Sequence, residues 1–288
     1  MVNPMLKELQ EVDEHTIGVA WELGKRAEST SYPRVSSLAQ LTERLQKAAH
    51  AERERLLGYF AGERLQGICA YFWDPKERYA QTTLFLIERA CYCDTADGFL
   101  SVLRSHLEGY ELLIGVPAAN QRAVSYLENR GFACVEASID TRWRGGPLQQ
   151  PRPAIGVESI TEADFAEYAV FHDRYALPLE MYWHSRNVAR ELERFRILAV
   201  RQHDVVRAGI CARTYPGGAE IVGLFTDEQN ADVIEALIQS LLQRLYQEFG
   251  ALNEVMYFIA EGSDLELRAA QKAGFEVHDH YRCYRRLL

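Results

Sequence analysis

One pattern occurs twice in this chain. Leu56 to Ala70 reads as a strand, a polar turn and a second strand ending Gly67-Ile68-Cys69-Ala70, and Arg196 to Ala212 reads the same way, ending Gly209-Ile210-Cys211-Ala212. Downstream, the apolar run Glu111 to Val116 matches Glu254 to Ile259, and each run leads into a short helix that stops at a Gly-Phe pair, Gly131-Phe132 and Gly274-Phe275. The separations from Gly67 to Gly131 and from Gly209 to Gly274 differ by a single residue. Spacing kept over so long a stretch implies duplication of a whole folding unit. Gly67 is therefore expected to superpose on Gly209, and Gly131 on Gly274.

The segment Gly145 to Pro153 is rich in proline and glycine and has no apolar periodicity, as suits a solvated connector. This gives an N-terminal domain over 1–146, a linker over 147–153 and a C-terminal domain over 154–288. In the second copy, helices are expected over Phe165 to Tyr175 and Ser185 to Phe195, and a strand over Glu220 to Phe225. A long helix follows, with the stripe Val233, Leu237, Leu241, Leu245 and Phe249. Its start reads as a capping box of Thr226 and Gln229, with Asp227 and Glu228 in the first turn. The first copy repeats this order, with helices near Glu14 to Arg26, Ser37 to Ala49 and Asp94 to Leu107. Hairpins alternating with crossover helices give an α/β (α+β) class: in each copy, a mixed sheet with helices on both faces.

The 288 residues are 48% hydrophobic and 25% charged, a globular composition. The net charge of −9 opposes binding along a phosphate backbone, so nucleic acid is not an expected partner. Neither is a membrane: Met1 to Gln10 has no apolar run of signal length, and no stretch approaches a span, so a cytoplasmic location is expected. The six cysteines fall mostly in apolar runs without framework spacing and are expected reduced. Cys91 with Cys93, and His278 and His280 with Cys283, are read as strand residues; no metal is expected.

The segment Asn120, Ala123, Tyr126, Leu127, Gly131, Phe132 resembles the part of GCN5-related N-acetyltransferases (GNAT) after their fifth strand. There an Asn, an Ala three residues on and a closing Gly-Phe are usual. In the second copy Ser263 replaces the Asn and Glu266 the Ala, with Gly274-Phe275 kept. The element order agrees, and tandem GNAT-like domains are a known arrangement. The resemblance implies an acetyl-CoA-dependent N-acyltransferase acting on a small amine, with one domain degenerate.

It also implies residue roles. GNAT enzymes hold the pyrophosphate of acetyl-CoA at a glycine-rich helix start after the fourth strand, where free N–H groups and the dipole attract an anion. Neither copy has that loop. The first, with Arg89 and Gly98, departs from it less, so Arg89, Gly98 and Asn120 are the cofactor-binding candidates. The expected cleft lies between Leu84 to Ile87 and Leu112 to Val116. Tyr126 is the candidate general acid for the leaving thiolate, although the usual tyrosine position holds Leu127, and Ala270 in the second copy. Trp21, Tyr32, Tyr182 and Trp183 lie where acceptors are commonly contacted. The alternative is a non-catalytic GNAT-like module that binds a small molecule or a protein. A tRNA-dependent aminoacyl transferase, also known for tandem GNAT-like folds, is disfavoured by the acidic balance.

Overall fold

The structure, a computed structural model, describes residues 4–35, 37–145, 155–177 and 181–288. The expected linker over 147–153 lies outside them. Two compact units emerge, and they do not follow chain order. Unit one is Met1–Ala137 with His280–Leu288, and unit two is Ser138–Asp279.

Unit one contains β1 (Pro4–Glu8), α1 (Glu14–Gly24), α2 (Leu38–His50), β2 (Glu54–Ala61), β3 (Arg64–Asp74), β4 (Tyr79–Ile87), α3 (Tyr92–His106), β5 (Glu111–Pro117) and α4 (Gln121–Asn129). The strand β6 (Ala133–Trp143) begins there. Unit two has β7 (Val157–Ser159), α5 (Phe165–His172), α6 (Ser185–Arg190), β8 (Phe195–Gln202), β9 (Val205–Tyr215), β10 (Gly218–Thr226), α7 (Ala231–Phe249), β11 (Glu254–Ala260) and α8 (Asp264–Lys272). The last strand is β12 (Glu276–Leu287).

Each unit takes its closing strand from the other copy. Tyr281 to Leu287 of β12 pair antiparallel with β5 of unit one, and Ser138 to Trp143 of β6 pair antiparallel with β11 of unit two. Within unit one the order is β1-β2-β3-β4-β5-β12, and within unit two it is β6-β11-β10-β9-β8-β7. The β4–β5 and β10–β11 pairs are parallel.

Neighbouring residues of the central strands bury themselves on opposite sides, because side chains alternate across a strand. In unit one Cys69 and Tyr71 join the cluster with Phe99 and Leu103 of α3, while Ile68 and Ala70 join Leu41 and Leu45 of α2. Both faces are covered, as such near-continuous apolar strands require. Unit two repeats this, with α7 supplying Leu237, Leu241 and Leu245 to one face and α5 supplying Tyr168 and Phe171 to the other.

The duplicated signals are only partly in register. Gly131 and Gly274 match: both have positive φ, +75° and +95°, and each is followed by a phenylalanine whose N–H returns to the preceding helix. Gly67 and Gly209 lie in corresponding strands but face opposite ways. A Cβ on Gly67 would meet Thr95 of α3, and one on Gly209 would meet Tyr168 of α5. The β-bulges give the true alignment: the ladder shifts after Ala70 in one copy and after Cys211 in the other. The shared Gly-Ile-Cys-Ala is thus one residue out of step, which in a strand exchanges the two faces.

Candidate functional site

In each unit the parallel pair at the centre of the sheet is short. β4 pairs with β5 only over Tyr79–Gln81, and β10 pairs with β11 only over Gly218–Ile221. Beyond these points β4 and β10 keep one neighbour, and their other edge turns unpaired backbone toward a gap. The bonds Glu88 N–H to Gln66 O and Asp227 N–H to Arg207 O show which amides face the neighbour. By alternation, Phe85 and Ile87 in unit one, and Leu224 and Thr226 in unit two, aim theirs into the gap.

In unit one the chain fills this gap itself. The segment between α1 and α2 runs through it, with Ser29, Thr30, Ser31 and Tyr32 all at most 3% exposed. Ser29 O accepts from Ile87 N–H at 3.2 Å, and Ser31 Oγ accepts from Phe85 N–H at 2.7 Å. On the far side Tyr32 N–H donates to Gly115 O at 2.8 Å. Gly115 is required there, since a Cβ would stand 2.9 Å from that of Tyr32 and 2.8 Å from the Tyr281 ring. Asn120 pins the segment: its Nδ2 donates to Thr30 O at 2.9 Å, while its Oδ1 caps α4 by accepting from Ala123 N–H at 3.1 Å.

The first-copy candidates are accordingly redistributed. Asn120, fully buried, spends its amide on the chain, and Tyr32 is part of the filling segment. Gly98 lets α3 approach Tyr59, 2.8 Å from where its Cβ would stand. Arg89 is exposed in a single 3₁₀ turn, Arg89–Cys91, that runs into α3. Cys91 and Cys93 belong to this turn and the helix start, so the strand reading of that pair is corrected; His278, His280 and Cys283 do lie in β12. Among the described residues no group of three or more metal-ligating side chains is brought together.

Tyr126 is 5% exposed and donates to Asp97 at 2.6 Å, and Arg130, just past the end of α4, grips the same carboxylate. Burial, then the adjacent Asp97, push the phenol well above its ordinary range. Through Asp97 the phenol ties α4 to α3. Leu127 is fully buried. Trp21 lines a small pocket with Thr30, Ser31 and Pro33, against the α1 and α2 side of the filled gap.

In unit two Leu224 N–H and Thr226 N–H have no acceptor among the described residues. Tyr182 and Trp183 pack at the α5–α6 face. Trp183 O accepts from His172 Nε2 at 2.8 Å, its ring meets Phe195, and Arg213 lies 4.9 Å over it. At the end of β10, Phe225 stacks on Tyr175 with centroids 5.1 Å apart and planes within 4°. Asp227 follows, bonded by Tyr175 OH at 2.8 Å, Arg207 at 3.0 Å and Arg174 at 3.1 Å. Burial alone would raise its pKa; these partners outweigh it and hold it low.

The expected capping box is absent. Thr226 ends the strand, and α7 begins five residues later, capped by Asn230, whose Oδ1 accepts from Asp232 and Val233 N–H at 3.0 and 3.4 Å. Asp227 is therefore strand-end and ion-paired, not a first-turn residue. The β10 amides, Asn230, Arg174 and Arg207 were not found from the sequence.

No known family profile and no curated protein sequence matches the chain. Solved structures do resemble it. A GCN5-related N-acetyltransferase from Sphaerobacter thermophilus aligns over 98% of this chain and 95% of its own, with a TM-score of 0.65 at 12% identity. A tandem GNAT protein from the clavulanic acid biosynthesis pathway aligns over 99% and 98%, with a TM-score of 0.59 at 13% identity. A glucosamine N-acetyltransferase region of a fungal multi-domain β-N-acetylglucosaminidase covers 99% of this chain, with 38% of its own length aligned and a TM-score of 0.65 at 12% identity. At such identities the likeness is one of fold: the chain carries the GNAT fold, in tandem.

Proposed function

We propose that the chain is an acyl-CoA-dependent N-acyltransferase of small amines in which unit two receives the donor and unit one is closed. The expectation that the first copy would be the binding one is thereby reversed. The observation that carries this is the contrast between two pairs of equivalent amides: Phe85 and Ile87 are satisfied by the chain, whereas Leu224 and Thr226 have no described acceptor.

The fit to acetyl-CoA divides along the molecule. Its pantetheine arm carries two amides and is peptide-like, so a strand edge with alternate N–H groups suits it, as strand addition suits a peptide. The start of α7 does not suit its pyrophosphate, because Asn230 uses the first-turn amides. When bound, the donor supplies an activated thioester. The amine nitrogen attacks its carbonyl carbon, the C–S bond breaks, and the proton lost by nitrogen ends on the sulfur. Leu224 and Thr226 contribute orientation, through which much of a barrier can be removed. The position of the family's tyrosine holds Ala270, fully buried, so in this reading the thiolate takes its proton from the amine or solvent.

Calorimetry with acetyl-CoA should show one equivalent bound per chain, and thiol release should be found in a panel of small primary amines. Thr226→Pro deletes an N–H that faces the gap and leaves the ladder to β9 intact, so it should weaken donor binding. Absence of any acetyl-CoA binding to the parent chain would end this reading. The second reading, a binding module, is favoured by the capped helix and missing tyrosine; binding without turnover of any amine would select it.

A further inference from the structure

We propose that unit two holds the donor's phosphate on the guanidinium pair Arg174 and Arg207, in place of the helix start that the fold ordinarily uses. This rests on the reading of the β10–β11 gap as the donor site. The pair converges on Asp227, the residue after Thr226, so it stands at the mouth of that gap. Two cations share one carboxylate, which leaves a surplus positive charge. Asp227 is 16% exposed at its side chain, but Arg174 and Arg207 are 47% and 50% exposed. Each guanidinium has five N–H donors, and the carboxylate uses few of them. The half-exposed guanidinium groups leave the remainder for a ligand.

Arg174 is also preorganised. Arg174 lies 4.8 Å over the Phe171 ring and 5.7 Å over Tyr175, which is itself stacked on Phe225 and bonded to Asp227. Guanidinium groups held in this way suit a phosphate, which they grip with charge-assisted, often bidentate bonds.

The spacing agrees with one ligand chemistry. The gap opens at the bulge at Val222 and ends at Asp227, five residues on, a span of about 16 Å at ~3.3 Å per strand residue. A phosphopantetheine arm has roughly 13 bonds from sulfur to phosphorus, which at the extended reach of ~3.3–3.6 Å per three backbone bonds is about 15 Å. A thioester beside the bulge thus puts the phosphate beside the arginines. That phosphate is common to free CoA and to the prosthetic arm of a carrier protein.

The test compares CoA, 4′-phosphopantetheine and pantetheine by competition calorimetry near 0.15 M salt, on the full chain and on Arg174→Gln with Arg207→Gln. CoA and phosphopantetheine should bind alike, and at least about tenfold tighter than pantetheine, as a charge-assisted phosphate contact implies. The double variant should reduce both to the pantetheine level and leave pantetheine unchanged, which also shows that it folds. Adding Asp227→Asn spares that variant a stranded carboxylate, and Arg174→Lys with Arg207→Lys should keep much of the phosphate preference. Undiminished CoA binding in the double variant, or pantetheine binding as tight as CoA, would overturn the anchor while leaving the donor site standing. CoA far tighter than phosphopantetheine would place the grip on the nucleotide and likewise overturn it. Failure of all three ligands on the parent chain removes the donor site itself. A holo acyl carrier protein bound as tightly as CoA would support the anchor and assign the carrier-borne source; CoA bound in preference to it would support the anchor and assign the free one.

Discussion

The amide of Ile87 donates to the carbonyl of Ser29 at 3.2 Å, a bond by which one stretch of chain takes a place that a strand edge would otherwise offer to a ligand. Thr226 occupies the same position in the second unit. Duplication produced two such edges, and the first has been closed from within by Ser29 to Tyr32.

If that closure depends on close approach, Gly115→Ala should destabilise the first unit. A methyl group would stand within 3 Å of Tyr32 and Tyr281, and overpacking of this kind costs about 1–3 kcal/mol. Urea denaturation should report the loss, with acetyl-CoA affinity retained. A variant as stable as the parent would show the fit to be looser than described.

Asn120→Ala removes a cap and strands the buried carbonyl of Thr30. The cap is worth about 1 kcal/mol and a lost buried partner about 1–3 kcal/mol, so a fall of about 2–4 kcal/mol is expected. The effect belongs to stability and not to chemistry. Reduced turnover at unchanged stability would contradict it.

Asn230→Ala should cost about 1 kcal/mol, as loss of a working cap does, while Thr226→Ala should stay within about 0.5 kcal/mol. Thermal unfolding of the two variants side by side decides between the observed cap and the one expected from sequence.

His172 gives the second unit a dependence on pH. Its Nε2 bonds Trp183 O and its Nδ1 meets Tyr168 OH at 3.1 Å, and the ring is 1% exposed. Burial, the largest cause, lowers its pKa from the ordinary 6.5. The unfolded chain therefore binds a proton at a higher pH than the folded one does, and stability falls as pH drops below about 6.5. Denaturation midpoints at pH 7.5 and 5.5 should differ less in His172→Gln than in the parent; an equal difference would assign the effect to other groups.

How far the sequence discloses all this follows from which signals are local. The helix stops at Gly131-Phe132 and Gly274-Phe275 are local backbone chemistry, and they fall in matching places. The hairpin match was legible as duplication but not as register, because Gly-Ile-Cys-Ala fits either face of a strand buried on both. Thr226 with Gln229 mimics a capping box in a stretch that the sheet claims first, through the bond from Asp227 N–H to Arg207 O. The filling segment left only Gly115 as a trace. Backbone amides of Leu224 and Thr226 have no signature at all, since every residue but proline carries one.

The path of the closing strands has a consequence for how the molecule comes into being. A chain made from its N-terminus ordinarily folds its first domain while the second is still being synthesised. Here β5 acquires its second neighbour only from Tyr281 to Leu287, which emerge after the elements of the second unit. The half of the protein that is born first is finished last, and until then a nascent sheet waits with one edge bare, the state in which chaperones would meet it.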